Sequence, residues 1–286
     1  MIKKQGTAWS GSFCLSHRCD NIKTMEKLLY NYHTHTSRCG HAFGMDEEYI
    51  LKAIECGIKR LGFSDHVILP EPYHQDGIRG QYDIHFEDYL RSIKYLKEKY
   101  KDQIDIIVGF EAEYYPKFEK YYRDLLETKT IDYLIQGQHC FLNSEDKFEW
   151  YFSRFNTGIE RVKMYVDDLI KGMKSGLFKY VCHPDTFVGT FKEWTPELEE
   201  QARRIFEAAE ELNIPLEINL HGGTFHRGEN LSYPCDEFWA LAKDYNIQIV
   251  IGVDAHKPEE FNIDWIQKAL DFAKKHHLKL NSDFRI

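Results

Sequence analysis

Between residues 28 and 286, short apolar runs alternate with longer stretches whose apolar positions recur every three or four residues. The short runs, residues 28–35, 60–64, 104–113, 133–139, 180–183, 215–219 and 248–254, have strand length and composition. The stretches between them, 46–56, 86–100, 117–128, 158–175, 196–212, 235–245 and 264–276, predict helices. Local punctuation agrees. Asp46, Glu47 and Glu48 put negative charge where a helix begins. Thr195-Pro196-Glu197 reads as a cap followed by proline in the first helical turn. Gly57 and Gly176 fall where helices should stop. Residues 278–284 are expected to add an irregular eighth strand.

Repeated strand–helix units imply a parallel sheet, and strands this rich in Ile, Val, Leu and Tyr suit a barrel buried on both faces. No composition shift, charge block or Pro/Gly-rich linker divides residues 25–286, which are therefore expected to form one α/β domain. The connections 67–85 and 141–157 are long, polar and aromatic, as walls of a pocket would be. Residues 1–24 are polar and aperiodic and lack the apolar segment of a signal peptide. They are expected to be a poorly ordered extension, or the true start is Met25.

Composition narrows the class. Of 286 residues, 43% are hydrophobic, 29% charged and 15% aromatic, the last a high value that suggests a well-filled core. The formal net charge of −9 and a pI near 5.9 lack the basic footprint of a nucleic-acid binder. No apolar run of about 18 residues could span a membrane. The seven cysteines, Cys14, Cys19, Cys39, Cys56, Cys140, Cys182 and Cys235, are odd in number and scattered. A disulfide framework is not expected, and a reducing cytoplasm is the natural setting. By strand alternation, Cys140 and Cys182 should point away from their neighbours His139 and His183, as small buried apolar residues.

The chemistry sits at the ends of the apolar runs. His33 and His35 alternate, so both imidazoles leave the same face of a strand, and His41 follows in the next loop. Later runs end in Asp65-His66, Glu111, His139, His183 and Asp254-Ala255-His256. Active sites of such barrels lie at the C-terminal ends of the strands. Imidazoles mixed with carboxylates suit zinc, manganese or iron, and the donors are numerous enough for two or three divalent ions. A buried Glu111 would be costly without a cation. Asp65 is placed to orient an imidazole rather than to ligate.

The ordered segments His33-Thr34-His35-Thr36, His41, Ser64-Asp65-His66, Gly109-Phe110-Glu111-Ala112-Glu113, Gln138-His139, Cys182-His183-Pro184-Asp185, Leu216-Glu217-Ile218-Asn219 and Gly252-Val253-Asp254-Ala255-His256 resemble the motifs of the PHP (polymerase and histidinol phosphatase) family, in order, over residues 28–256. Within it the chain looks most like the monofunctional histidinol-phosphate phosphatases. The resemblance implies a distorted TIM-like (β/α)7 barrel with a trinuclear metal site. It implies that His33, His35, Glu111 and Asp254 hold one metal, that Glu111 bridges to a second held by His139 and His183, and that His41, His66 and His256 hold a third. It implies a phosphomonoesterase that hydrolyses L-histidinol phosphate by attack of a metal-bridged hydroxide.

Phosphate oxygens call for an arginine fork. The resemblance places a phosphate-binding arginine near Arg227, in the Gly-rich loop after the sixth predicted strand, although that loop is longer here than the family's Ser-Gly stretch. Arg154 is a further candidate, with His226 assisting, and Asp254 is a possible proton carrier. For the rest of the substrate, Glu113 could meet an ammonium, and Phe43, Tyr73, Tyr114 or Tyr115 could stack on an imidazole. Three other readings remain: a phosphoesterase of nucleotides or another small ester, a non-catalytic metal protein, and an amidohydrolase. The last usually needs a bridging lysine at the end of a mid-barrel strand, where this chain has His139.

Overall fold

Strand β1 (Tyr30–Asn31) pairs in parallel with β2 (Arg60–His66), β2 with β3 (Asp105–Ala112), and β3 with β4 (Tyr133–Gln136). This computed structural model describes residues 27–70, 72–73, 83–153, 158–224 and 228–286. The expectation for residues 1–24, and Arg154, His226 and Arg227, lie outside them. The ring continues through Val181, which bridges Gln136 on one side and Leu216 on the other. A hairpin, β5 (Cys140–Leu142) and β6 (Phe148–Trp150), precedes that residue in the chain and stands outside the ring. Strands β7 (Leu216–Asn219) and β8 (Ile249–Gly252) pair in parallel, and a bridge from Ala255 to Thr34 returns to the start. The result is the expected (β/α)7 barrel, distorted because several of its staves are reduced to one or two paired residues.

The helices α1 (Asp46–Glu55), α2 (Asp83–Tyr100), α3 (Glu119–Glu127), α4 (Ile159–Ser175), α5 (Pro196–Leu212), α6 (Asp236–Leu241) and α7 (Ile263–Lys275) occupy the predicted stretches. Thr195 caps α5 by accepting from Leu198 N at 3.4 Å, and Asn262 caps α7. Among the described residues, no helix is long and apolar enough to cross a membrane. The described cysteines form no disulfide.

Aromatic side chains fill the lower barrel. The Tyr133 hydroxyl reaches the carbonyls of Tyr32 and Phe63 at 2.9 and 3.0 Å, tying three strands across the interior. The expected eighth strand is a short C-terminal segment wedged between β8 and β1: Leu280 bridges Ile249, and Leu29 N donates to Ser282 O at 3.0 Å. It delivers Phe284, whose ring meets Tyr30, Tyr32 and Tyr180 edge-on with centroids 5.9–6.3 Å apart. The barrel floor is thus closed by aromatic packing, and polar groups gather at the other end.

Two departures from the sequence reading matter for that end. The run 180–183 pairs through Val181 alone, because the chain leaves the strand at His183 with φ +30. The connection 141–157 lines a cavity, as read, with Phe141, Leu142, Asn143, Asp146 and Tyr151, but it does so largely through the β5–β6 hairpin, whose turn is held by Asn143 Oδ1 accepting from Glu145 N and Lys147 N.

Candidate metal centre

Glu111, near the end of β3, is 1% exposed and forms the hub of the upper barrel. Its Oε1 lies 2.9 Å from His183 Nε2, 3.5 Å from His139 Nε2 and 3.7 Å from His33 Nε2. Its Oε2 lies 2.9 Å from His66 Nδ1 and 3.5 Å from His35 Nε2. Gly137 makes room for it: a Cβ there would stand 1.8 Å from Glu111 Oε1. Asp254 forms a second hub, with Oδ1 3.1 Å from His35 Nε2 and 3.3 Å from His33 Nε2. Both Asp254 (φ +53) and His183 (φ +30) hold left-handed backbone conformations. Such conformations concentrate at functional sites, where the surroundings over-determine them.

The outer histidines complete the cup. His256 stacks on His35 with ring centroids 4.1 Å apart, and His41 stands 4.8 Å from His256 and 5.3 Å from His66. His33, His35 and His183 are sealed, whereas the His139 side chain is 22% exposed and His41 is exposed. Solvent therefore enters from the His41 and His139 side. All nine residues expected to ligate, His33, His35, His41, His66, Glu111, His139, His183, Asp254 and His256, meet in one cup.

The donor set fits divalent cations. The ion pairs of Glu111, Glu217 and Asp254 among the described residues are all with histidines. Buried carboxylates without lysine or arginine need another source of positive charge. His33 Nε2, His35 Nε2 and Asp254 Oδ1 are buried and make no well-formed hydrogen bond among the described residues, though Asp254 Oδ1 stands 3.1–3.3 Å from the two nitrogens. Converging lone pairs of this kind suit a shared ion. Three overlapping groups, His33/His35/Glu111, His33/His183/Asp254 and His35/His66/His256, each bring their donor atoms within 4.8 Å of one another.

Electrostatics point the same way. Burial works against ionisation of Glu111, but the surrounding His139, His33 and His66 outweigh it and hold the carboxyl well below its usual range. Burial likewise opposes charge on His33, yet Asp254 and Glu217 raise its pKa well above the usual value. Divalent cations would take the place of those protons. Burial and then the charge on His35 push His256 down to about 2, which keeps it the neutral imidazole a metal needs.

Around the cup stand residues that fix the imidazoles. Glu217 Oε1 and Oε2 lie 3.1 and 3.0 Å from His33 Nδ1, and Asn219 Nδ2 donates to Glu217 Oε1 at 2.7 Å and to Asp254 Oδ2 at 3.1 Å. Asp65 Oδ1 stands 3.5 Å from His35 Nδ1, and Asp65 accepts a hydrogen bond from Thr36 Oγ1. His41 Nδ1 faces the Cys39 carbonyl and His256 Nδ1 the Asp254 carbonyl, each at 3.0 Å, which leaves Nε2 as the lone-pair nitrogen. Glu260 Oε2 accepts from His256 N at 2.6 Å, and His221 stacks on His256 at 4.4 Å. Sequence reading gave Glu217, Asn219, His221 and Glu260 no role. The usable signal for Glu217 was a carboxylate inside the apolar run Leu216–Asn219.

Several expected positions differ. Glu113, expected to meet a substrate ammonium, is 3% exposed, and its Oε1 stands 3.3 Å from His139 Nδ1. Cys182 does not point away: its sulfur comes within 4.8 Å of donor atoms of His33 and Glu217, because strand pairing ends at Val181 and the left-handed backbone at His183 breaks the alternation. Tyr115 packs on Phe118 and Phe148, Tyr73 packs on the same two rings, and Tyr114 bonds Glu119 Oε2 at 2.8 Å. Phe43 remains at the rim, 63% exposed, with its N–H held by His256 O at 2.8 Å.

Comparison with known proteins agrees with this geometry. A protein from Deinococcus radiodurans named "Probable histidinol-phosphatase" is 29% identical over 238 residues, covering 81% of this chain and 88% of that protein. The histidinol-phosphatase of Lactococcus lactis is 22% identical over 277 residues, 92% of this chain and 97% of the relative. The fold matches the Lactococcus lactis histidinol phosphate phosphatase solved with zinc, L-histidinol and phosphate, at TM-score 0.66 and 19% identity over 88% of this chain and 95% of that one. The family model for the PHP domain matches residues 31–221, which carry all the cup residues except Asp254 and His256. The chain belongs to the PHP domain family.

Proposed function

We propose that this chain hydrolyses L-histidinol phosphate to L-histidinol and phosphate, using two or three divalent ions, zinc, manganese or iron. The observation that carries the reading is the Glu111 carboxylate ringed by five imidazole nitrogens at 2.9–3.7 Å, with no lysine or arginine among its ion-pair partners in the described residues. In this reading His33, His35, Glu111 and Asp254 hold one ion, Glu111, His139 and His183 a second, and His41, His66 and His256 a third. Ions held there would lower the pKa of water toward 7 and neutralise charge on the phosphoryl oxygens.

The chain's own residues do the positioning. Glu217, Asp65 and Glu113 fix the His33, His35 and His139 rings, so little reorganisation accompanies the reaction. The opening beside His41 and His139 admits the phosphoryl group, while the sealed side at His33 and His183 keeps bulk water from the inner carboxylates. Arg227 is the candidate for the phosphate clamp, with Arg154 and His226 as further candidates. Asp254, within 3.5 Å of His256 Nδ1, is the candidate that takes or returns a proton. Phe43 at the rim is positioned to cover an imidazole ring.

Metal titration tests this reading. Chelation should abolish phosphate release, and stepwise return of zinc, manganese or iron should restore it with occupancy counted by mass spectrometry. Arg227→Ala should lower kcat/KM while metal content stays unchanged. Full turnover in chelated protein would refute the metal requirement.

A further inference from the structure

One further donor group includes a residue that the family resemblance does not assign. Cys39 Sγ and ring nitrogens of His41 and His256 all lie within 4.8 Å of one another. Cys39 is 1% exposed, on the last residue of a 3-10 turn, Ser37–Cys39. The turn is fixed from both sides. Thr36 Oγ1 accepts from Arg38 N at 3.3 Å, and Cys39 N donates to Thr36 O at 3.1 Å. Arg38 in turn donates to both Asp46 oxygens at 2.9 Å and to Asp88 Oδ2 at 2.8 Å. Gly40, at φ +80, lets the chain reverse so that His41 faces back over the sulfur.

A second observation marks the same spot as a ligand position. His256 also belongs to the His35/His66/His256 group, whose donor atoms lie within 4.8 Å of one another. The two groups share His256, which sets the Cys39 sulfur beside the ring that belongs to both. With Nδ1 of His41 and of His256 each facing a carbonyl at 3.0 Å, their Nε2 atoms are the lone pairs available there.

We propose that Cys39 is a donor to the ion held by His41, His66 and His256, binding as the thiolate. This rests on the metal reading above and extends it. A sulfur beside imidazoles changes which ions the position takes. It favours zinc, cobalt(II), iron and cadmium over manganese and magnesium. It also fills a coordination place that water would otherwise hold, so the other two positions carry the open sites.

Cobalt and cadmium report sulfur ligation directly. The full chain loaded with cobalt(II) should show a thiolate-to-cobalt charge-transfer band in the near ultraviolet. The band should persist in Cys56→Ser and vanish in Cys39→Ser, and the same Cys39 variant should bind one cobalt about 10-fold or more weakly while the others stay bound. If Cys39→Ser does not fold, cadmium NMR on the unaltered chain decides, through a sulfur-shifted resonance coupled to the Cys39 β-protons. Cobalt bound without the band, or a band that survives Cys39→Ser, overturns the role of Cys39 and leaves the metal reading intact. A chain that binds no cobalt overturns both.

Discussion

Removing the charge from Glu217 should weaken the metal centre without touching a ligand. Glu217 is fully buried, both of its oxygens stand at 3.0–3.1 Å from His33 Nδ1, and Asn219 donates to it at 2.7 Å. It therefore holds the proton on Nδ1, turns Nε2 toward Glu111 and Asp254, and raises the basicity of the ring. Gln is nearly isosteric, so the close approach of Gly252, where a Cβ would meet Glu217 Oε2 at 2.1 Å, stays satisfied. The loss is of charge and of one acceptor. Partners of metal-bound histidines typically carry about 10- to 100-fold in metal affinity or activity, or about 1.4–2.7 kcal/mol. Glu217→Gln should show that loss in zinc affinity by competition with a chelator, and in kcat/KM; because Glu217 also balances the charge on buried His33 when no metal is bound, the metal-free chain should melt lower as well. Wild-type affinity and turnover in a folded Glu217→Gln protein would refute the argument.

Three other perturbations follow from the same structure. Gly137→Ala would put a Cβ 1.8 Å from Glu111 Oε1, so the hub must move; metal content should fall sharply, and an alanine variant with full occupancy would contradict the packing argument. Tyr133→Phe leaves the buried Tyr32 and Phe63 carbonyls without their shared donor and should cost about 1–3 kcal/mol in denaturant unfolding, at an unchanged m-value. Burial pushes the Tyr121 phenol up to about 12, so the folded chain keeps a proton that the unfolded chain surrenders near pH 10. Stability should fall as pH rises from about 10 to about 12, and Tyr121→Phe should flatten that slope relative to the native chain.

What the sequence disclosed follows from what period and position encode. His33 and His35 share a face by strand alternation, and Glu111 closes an apolar run, so their convergence was readable. The helices were readable too, since caps such as Thr195 and stops such as Gly176 are local. The role of Glu217 was not, because a carboxylate inside a strand looks the same whether it faces a metal, a histidine or an arginine. The neighbour of Glu113 was hidden for a related reason: alternation gives the face of a side chain but not the ring of His139 that lies against it. Cys182 was misjudged because alternation assumes a strand, and this one pairs through Val181 alone before His183 turns away. The left-handed backbone at His183 and Asp254 belongs to the assembled barrel and has no local signature.

The most direct measurement is phosphate release from L-histidinol phosphate, set beside nucleoside monophosphates and p-nitrophenyl phosphate, with metal content quantified in the same sample. The account predicts a strong preference in kcat/KM for L-histidinol phosphate, abolished in His33→Ala. Metal-replete protein that ignores L-histidinol phosphate yet cleaves nucleotides would contradict it.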